Sequence, residues 1–155
     1  MAAIHRLERT QNIPIDLEQA WNFFSRPGNL EKITPAYMRF RITSPPVARM
    51  YAGEVITYFI RPLLGIPLAW MTEITHVQEG RYFVDEQKKG PYALWHHQHH
   101  FEAVPGGIKM TDIVHYQLPL GFLGTLAGKL FVNRQLEDIF AYRREAIEQL
   151  FGSMN

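Results

Sequence analysis

Residues 123–151 read as one long helix, and that helix limits what the rest of the chain can be. Val132, Leu136, Ile139, Phe140, Ile147, Leu150 and Phe151 recur at the three- and four-residue spacing of a single helical face, while Arg134, Glu137, Asp138, Glu145, Glu148 and Gln149 gather on the other. A helix with one apolar stripe must lay that stripe on a surface supplied by the remaining sequence. Two features interrupt it. Arg143 stands in the middle of the stripe, and toward the helix start the same face carries Asn133, Lys129 and Thr125 instead of hydrophobes. Leu123, Leu126, Leu130 and Phe131 spread round most of the circumference there, so that end is expected to touch something further. The candidates are the short helices upstream, the loop 62–67, a second copy of the chain as a homodimer, or a membrane during ligand loading.

The surface for the helix lies in the preceding eighty residues, where apolar residues alternate with polar ones. Strands are expected over 38–43, 54–60, 68–77, 81–87, 94–104 and 108–118, separated by Pro45-Pro46, the 62–67 loop, Glu79-Gly80, Gly90-Pro91 and Gly106-Gly107. Upstream, residues 4–12 read as a first strand ending at Ile13-Pro14. Asp16 then caps a helix carrying Leu17, Ala20, Trp21, Phe23 and Phe24, with Gln19 placed for a capping box, and Pro27-Gly28 stops it. Asn29 caps a second short helix, 30–33, closed by Thr34-Pro35. Short turns between consecutive strands make an antiparallel meander, and a curved sheet of that kind must cover its concave face. Only the last helix is long enough. The expected fold is therefore α+β, in the order β-α-α-β6-α, with residues 1–155 as a single domain.

Composition excludes more than it selects. A net charge of +1 gives no electrostatic basis for nucleic acid or an anionic membrane as partner. The chain has no cysteine, so disulfides, thiol nucleophiles and thiolate metal sites are all excluded, as suits a reducing compartment. Its first ten residues are charged rather than apolar, and the longest apolar run, 55–70, is cut by Arg61, Pro62 and Pro67, so no stable membrane insertion is expected. The expected location is the cytoplasm.

Several motifs carry a resemblance. Pro14-Ile15-Asp16-Leu17-Glu18-Gln19-Ala20-Trp21, then Asn29-Leu30 and Ile33-Thr34-Pro35, precede Gly90-Pro91-Tyr92 with Trp95-x-His97-x-His99-x-Phe101, and the series closes with Asp112-x-Val114-x-Tyr116-x-Leu118-Pro119-x-Gly121. Together these resemble the START-like helix-grip superfamily, also called SRPBCC, in its bacterial polyketide cyclase/dehydrase-like or coenzyme Q-binding-like branch. The resemblance implies a deep cavity between the curved sheet and the last helix, holding a hydrophobic ligand.

Taking Gly106 and Gly107 as the turn of the last hairpin pairs Phe101 with Asp112, His99 with Val114, His97 with Tyr116 and Trp95 with Leu118. Trp95, Phe101, Val114 and Tyr116 then share the inward face and are expected to enclose one space with Ile139, Phe140 and Ile147. Trp70 is a further aromatic candidate for its wall. Three polar residues intrude on that face: His97, His99 and Asp112. A metal reading of His96-His97-Gln98-His99-His100 is not adopted, because alternation sends His97 and His99 to one face and His96 and His100 to the other, with no third ligand apparent. Arg143 requires an acceptor if buried. Asp112 is the first choice and Asp85, whose facing the pattern does not fix, the second. Lys129 and Asn133 could bond the polar head of a ligand.

No nucleophile elbow or phosphate-cradling glycine loop is present, and no cofactor is expected. Two functions remain. One is binding or carriage of a hydrophobic small molecule such as a lipid, isoprenoid or polycyclic aromatic compound. The other is a cyclase, dehydratase or isomerase acting on a polyketide-like carbonyl substrate, with Tyr116 or His97 donating to an enolate and the His99–Asp112 pair removing a proton.

Overall fold

The computed structural model describes residues 3–121 and 125–154. A seven-stranded antiparallel sheet in the order β1-β7-β6-β5-β4-β3-β2 curves round one long helix. The strands are β1 (His5–Ile13), β2 (Arg41–Ile42), β3 (Val55–Leu63), β4 (Ile66–Gln78), β5 (Tyr82–Lys89), β6 (Leu94–Val104) and β7 (Gly107–Gln117); the helices are α1 (Leu17–Phe24) and α2 (Leu126–Phe151). Two 3-10 turns, Pro27–Ile33 and Ala36–Met38, join α1 to β2. The expected element order holds, with adjustments: the second short helix is the 3-10 segment Pro27–Ile33 rather than an α-helix over 30–33, and Asn29 does not cap it but donates its side chain to the Phe23 carbonyl at 2.9 Å. β2 keeps only two residues of the expected 38–43, since its first part coils into the second 3-10 turn. β3 and β4 run on through much of the expected 62–67 loop to a tight reversal at Leu64-Gly65, both with positive φ. Residues 122–124, the expected start of the long helix, lie outside the described residues.

Local chemistry explains the boundaries. Asp16 accepts the Gln19 backbone N–H at 2.7 Å, and its own N–H donates to the Gln19 side chain at 3.2 Å, which closes the capping box on α1. Thr125 caps α2 by accepting from the Gly128 N–H at 3.2 Å; this spends a residue the sequence placed on the ligand-facing stripe. Irregular pairing between Ile74 and His76 inserts an extra residue into β4, the kind of bulge that bends a sheet enough to wrap a helix.

The last hairpin turns one residue earlier than expected. Val104 pairs with Gly107 across Pro105-Gly106, and Gly106 has φ +85. Proline presets the first turn position, and glycine takes the positive φ of the second. Gly107 instead belongs to β7, where a Cβ would stand 2.1 Å from the Ile13 carbonyl oxygen. The pairing is thus offset by two residues: Trp95 faces Tyr116, His97 faces Val114, His99 faces Asp112 and Phe101 faces Met110. An offset of two changes every partner and no face, because side chains alternate with period two. Ile108, Met110, Asp112, Val114 and Tyr116 are accordingly the buried residues of β7.

α2 crosses the concave face. Its buried residues are Gly128, Val132, Leu136, Phe140, Ala146 and Ile147, whereas Leu150 is exposed, so the stripe is narrower than its apolar residues implied. Polar ties fix the helix at both sides: the Gln135 side chain donates to the Pro62 carbonyl (2.6 Å), and that of Gln11 donates to the Arg144 carbonyl (3.0 Å). Leu126, Leu130 and Phe131 at the helix start are exposed beside Leu120.

Candidate functional site

β5, β6 and β7 bring four ionisable side chains to one point on the concave face. Cross-strand pairing sets Asp85 opposite His97 and His99 opposite Asp112, so all four share a face with Phe83, which pairs with His99. Asp112 Oδ1 lies 2.7 Å from His97 Nε2 and 3.3 Å from His99 Nδ1. Asp85 Oδ2 lies 2.6 Å from His99 Nε2 and 3.7 Å from His97 Nδ1. The two imidazoles lie with centroids 3.7 Å apart and planes tilted by 31°, and Phe83 stacks on His99 at 4.1 Å. Acids and imidazoles therefore alternate round a closed square.

Burial and pairing pull against each other here. Loss of water alone would raise the Asp112 carboxyl, but hydrogen bonds from His97 and His99, with the charges of His97 and Arg143, hold it well below the usual carboxylate range. Asp85 is lowered for the same reasons, with His99 its main partner. His97 is pushed down by burial and by its neighbour His99, in spite of its bond to Asp112. His99 goes the other way. Bonds to both carboxylates outweigh burial and raise it, so it is the imidazole that carries a proton first.

Arg143 comes down from α2 onto this square but does not join it. Its nearest guanidinium nitrogen is 3.9 Å from Asp112 Oδ1, an electrostatic contact and not a hydrogen bond. The expectation of a hydrogen-bonded Arg143–Asp112 pair is corrected, since His97 occupies that oxygen. The guanidinium instead lies 5.0 Å from the Phe140 ring centroid, and its buried Nε has no hydrogen-bond partner.

Two chambers meet at the square. The larger, about 240 Å3, runs between α2 and strands β3–β6 and is walled by Trp70, Tyr92, Trp95, Leu136, Ile139 and Phe140, with His97, His99, Asp85 and Arg143 at its inner end. The smaller, about 90 Å3, lies toward α1 and the first 3-10 turn, among Phe24, Leu30, Met50, Tyr58 and Phe83, and also reaches Asp85, His99, Asp112 and Arg143. A separate cleft between β1 and α2, past Arg9, Gln11 and Glu137, leads from the surface to Asp112 and Arg143. Trp70 Nε1, at the wall of the larger chamber, is a second buried donor without a partner.

Of the residues singled out from sequence, Trp70, Trp95, His97, His99, Phe140 and Arg143 border the larger chamber and Asp112 the smaller. The others stand apart from both. Phe101 is packed edge-on against Trp21 and beside Phe24 and Phe83. Val114 is wholly buried under α2. Tyr116 donates its hydroxyl to Asn133 Oδ1 at 2.7 Å and stacks on His5, which uses both Tyr116 and Asn133 in tying β7 to α2. Lys129 is half-buried and lines neither chamber. The seven residues expected round one enclosed space do lie between sheet and helix, but they fill much of it. Asp85 was missed as a partner of the histidines. Its signal was parity with Phe83 on β5, which could be used only once β5 was registered on β6.

The sheet order, the capped α1 with its 3-10 turns, and α2 lying in the concave face together decide the architecture. The chain has the helix-grip fold. A crystal structure of protein Ms6760 from Mycobacterium smegmatis superposes with a TM-score of 0.68 at 18% identity, over 94% of this chain and 89% of that one. CV1439 from Chromobacterium violaceum superposes with 0.71 at 12% identity, over 98% and 99%. Ginseng major latex-like protein 151 from Panax ginseng superposes with 0.69 at 15% identity, over 96% and 97%. No family model and no curated protein matches the chain. No helix among the described residues is long and apolar enough to cross a membrane.

Proposed function

We propose that this helix-grip protein binds a small lipophilic molecule that carries an acidic or carbonyl group, with its apolar body in the larger chamber and its polar group against Arg143. One observation carries the reading. An aromatic and aliphatic chamber ends at a guanidinium whose Nε is buried and unpartnered, while each neighbouring acid already accepts a hydrogen bond from an imidazole. A buried donor without an acceptor costs about 1–3 kcal/mol, which a ligand oxygen would recover. Trp70 Nε1 offers a second donor on the same wall. At about 240 Å3 the chamber falls just below the roughly 300–1,000 Å3 of drug-sized sites, which favours one or two rings or a short chain over a long isoprenoid tail.

The test is titration of an anionic naphthalene dye, followed by its emission and by quenching of Trp70 and Trp95. Saturable one-to-one binding that Ile139→Trp blocks supports the reading. Unsaturable binding, or binding indifferent to Ile139→Trp, overturns it.

One feature favours the second reading, a cyclase, dehydratase or isomerase: the Asp85–His99 pair opens on both chambers, where it could move a proton on a bound carbonyl compound. Tyr116 has no part in that scheme because its hydroxyl is spent on Asn133.

A further inference from the structure

We propose that Asp85, His97 and His99 bind one divalent transition-metal ion, and that Asp112 is the carboxylate that orients both imidazoles from behind.

The donors come from two neighbouring strands. One ring nitrogen of each of His97 and His99 and a carboxylate oxygen of Asp85 all lie within 4.8 Å of one another. The two separations that involve Asp85 Oδ2, 2.6 and 3.7 Å, bracket the spacing of about 3.0–3.5 Å between donors that share an ion through bonds of about 2.0–2.2 Å. The third separation, between the two imidazole nitrogens, is no more than 4.8 Å. The sequence offered two histidines on this face and no third ligand. Register across β5 supplies it.

The hydrogen bonding around the rings gives the second line of argument. Each imidazole points one nitrogen at Asp112 and the other at Asp85. For His97 that is the carboxylate–histidine–metal order in which an outer acid takes the N–H and fixes the tautomer, leaving the far nitrogen free to ligate; His99 Nε2, hydrogen-bonded to Asp85 at 2.6 Å, would exchange that bond for the ion while Asp112 stands 3.3 Å behind its Nδ1. For His97 the consequence is specific. With Nε2–H committed to Asp112 at 2.7 Å, Nδ1 presents a lone pair to the Asp85 carboxylate across 3.7 Å, too long for a hydrogen bond. Two electron-rich atoms face each other there, and a cation between them converts repulsion into two bonds.

Charge and access agree. With both imidazoles neutral, Asp85, Asp112 and Arg143 sum to −1 in a site almost closed to water. A proton on His99 or a divalent ion can offset this, and the ion leaves an excess of +1 to attract an anionic group from the chamber. Asp85 and His99 border both chambers, so the remaining coordination positions face space a small molecule can enter. The cleft past Gln11 and Glu137 offers a polar route inward. Two imidazoles with one carboxylate select the zinc, cobalt and iron class over magnesium or calcium. These donors alone carry the inference, which holds whether or not the chamber takes the ligand proposed above.

The outer face carries a competitor. His96 and His115 stand opposite each other with rings 6.1 Å apart and could hold a surface ion. The experiment therefore uses full-length, chelator-stripped protein carrying His96→Gln and His115→Gln, titrated calorimetrically with zinc and cobalt salts. One equivalent should bind, and Co2+ should develop a visible d–d band. In that background Asp85→Asn and His99→Gln should each weaken binding by about 100-fold or more, and Asp112→Asn by about 10–100-fold. No stoichiometric binding once the surface histidines are gone, or binding unchanged by Asp85→Asn, overturns the proposal. Should the inner variants fail to fold, zinc-edge anomalous scattering from zinc-soaked crystals of the unmodified protein decides it: a peak between Asp85, His97 and His99 supports the site, and a peak only at His96 and His115 sinks it.

Discussion

The two ends of the sheet–helix interface are made from similar residues and finish differently. At the end near α1, Trp21, Phe24, Phe83, Phe101, Ile108 and Ile147 interdigitate under α1 and the first 3-10 turn. At the other end, Trp70, Tyr92, Trp95, Leu136 and Phe140 stand round a chamber that no element among the described residues fills. Hydrophobicity does not distinguish them, since both are aromatic-rich. What differs is the cover: α1 packs down on one end and leaves only the smaller chamber of about 90 Å3, while Leu30 and Met38 of the two 3-10 turns and Phe131 of α2 border the other and leave about 240 Å3. An apolar surface becomes core where its cover fills the space and a chamber wall where it does not.

Truncation should break this symmetry most visibly. Phe101→Ala removes a ring held on several sides and should cost about 3–5 kcal/mol in urea denaturation. Trp95→Ala removes a larger ring from a chamber wall where it is only partly covered, and should cost no more than about 1–2 kcal/mol. Equal losses would mean that the larger chamber is collapsed in solution.

The polar square at the boundary comes next. Asp112→Asn should destabilise by about 1.5–3 kcal/mol, because two imidazoles lose a charged acceptor. Arg143→Met, which removes no hydrogen bond, should change stability by less than about 1 kcal/mol. A large loss from Arg143→Met with none from Asp112→Asn would reverse the roles assigned to them.

The smallest effect belongs to Glu54, a carboxyl beside the packed end whose Oε2 is buried and unpartnered. Burial raises it above the usual glutamate range, against a hydrogen bond from the Tyr51 backbone that lowers it. Its neutral form favours the fold, so the stability it allows is complete below the unfolded pKa and declines as pH rises through the folded one. Glu54→Gln should flatten that decline and gain less than about 1 kcal/mol at neutral pH. An unchanged slope of urea midpoint against pH would show that the carboxyl is solvated.

Much of this was legible before the structure. Strand alternation and the α2 stripe give the fold, and parity alone gives the inward face of β6 and β7. The two-residue offset in the hairpin left that face intact, which is why His97, His99 and Asp112 were grouped correctly while their partners were not. Parity says nothing about depth along a strand. Phe101, Val114 and Tyr116 share a face with Trp95 and His97, yet they are packing residues, because coverage by α1 and α2 varies along the strand. The pairing of Asp85 with His97 depends on the β5–β6 register, set by a loop at Gly90-Pro91 that has no two-residue turn signal. Arg143 was visible as an anomaly and Asp112, its first-choice partner, is the carboxylate its guanidinium meets, but that the contact stops at 3.9 Å could not be read from spacing, since His97 holds the shared oxygen.

The central claim is that the open end holds a ligand whose polar group meets Arg143. The most direct measurement is the affinity of a matched pair, 2-naphthoic acid and 2-naphthalenemethanol, for the unmodified protein and for Arg143→Met. One charged hydrogen bond in a dry site is worth about 1.5–3 kcal/mol, so the acid should bind the unmodified protein at least about tenfold more tightly than the alcohol, and Arg143→Met should erase that preference while leaving alcohol affinity unchanged. A preference for the acid that survives Arg143→Met, or no preference at all, would contradict the account.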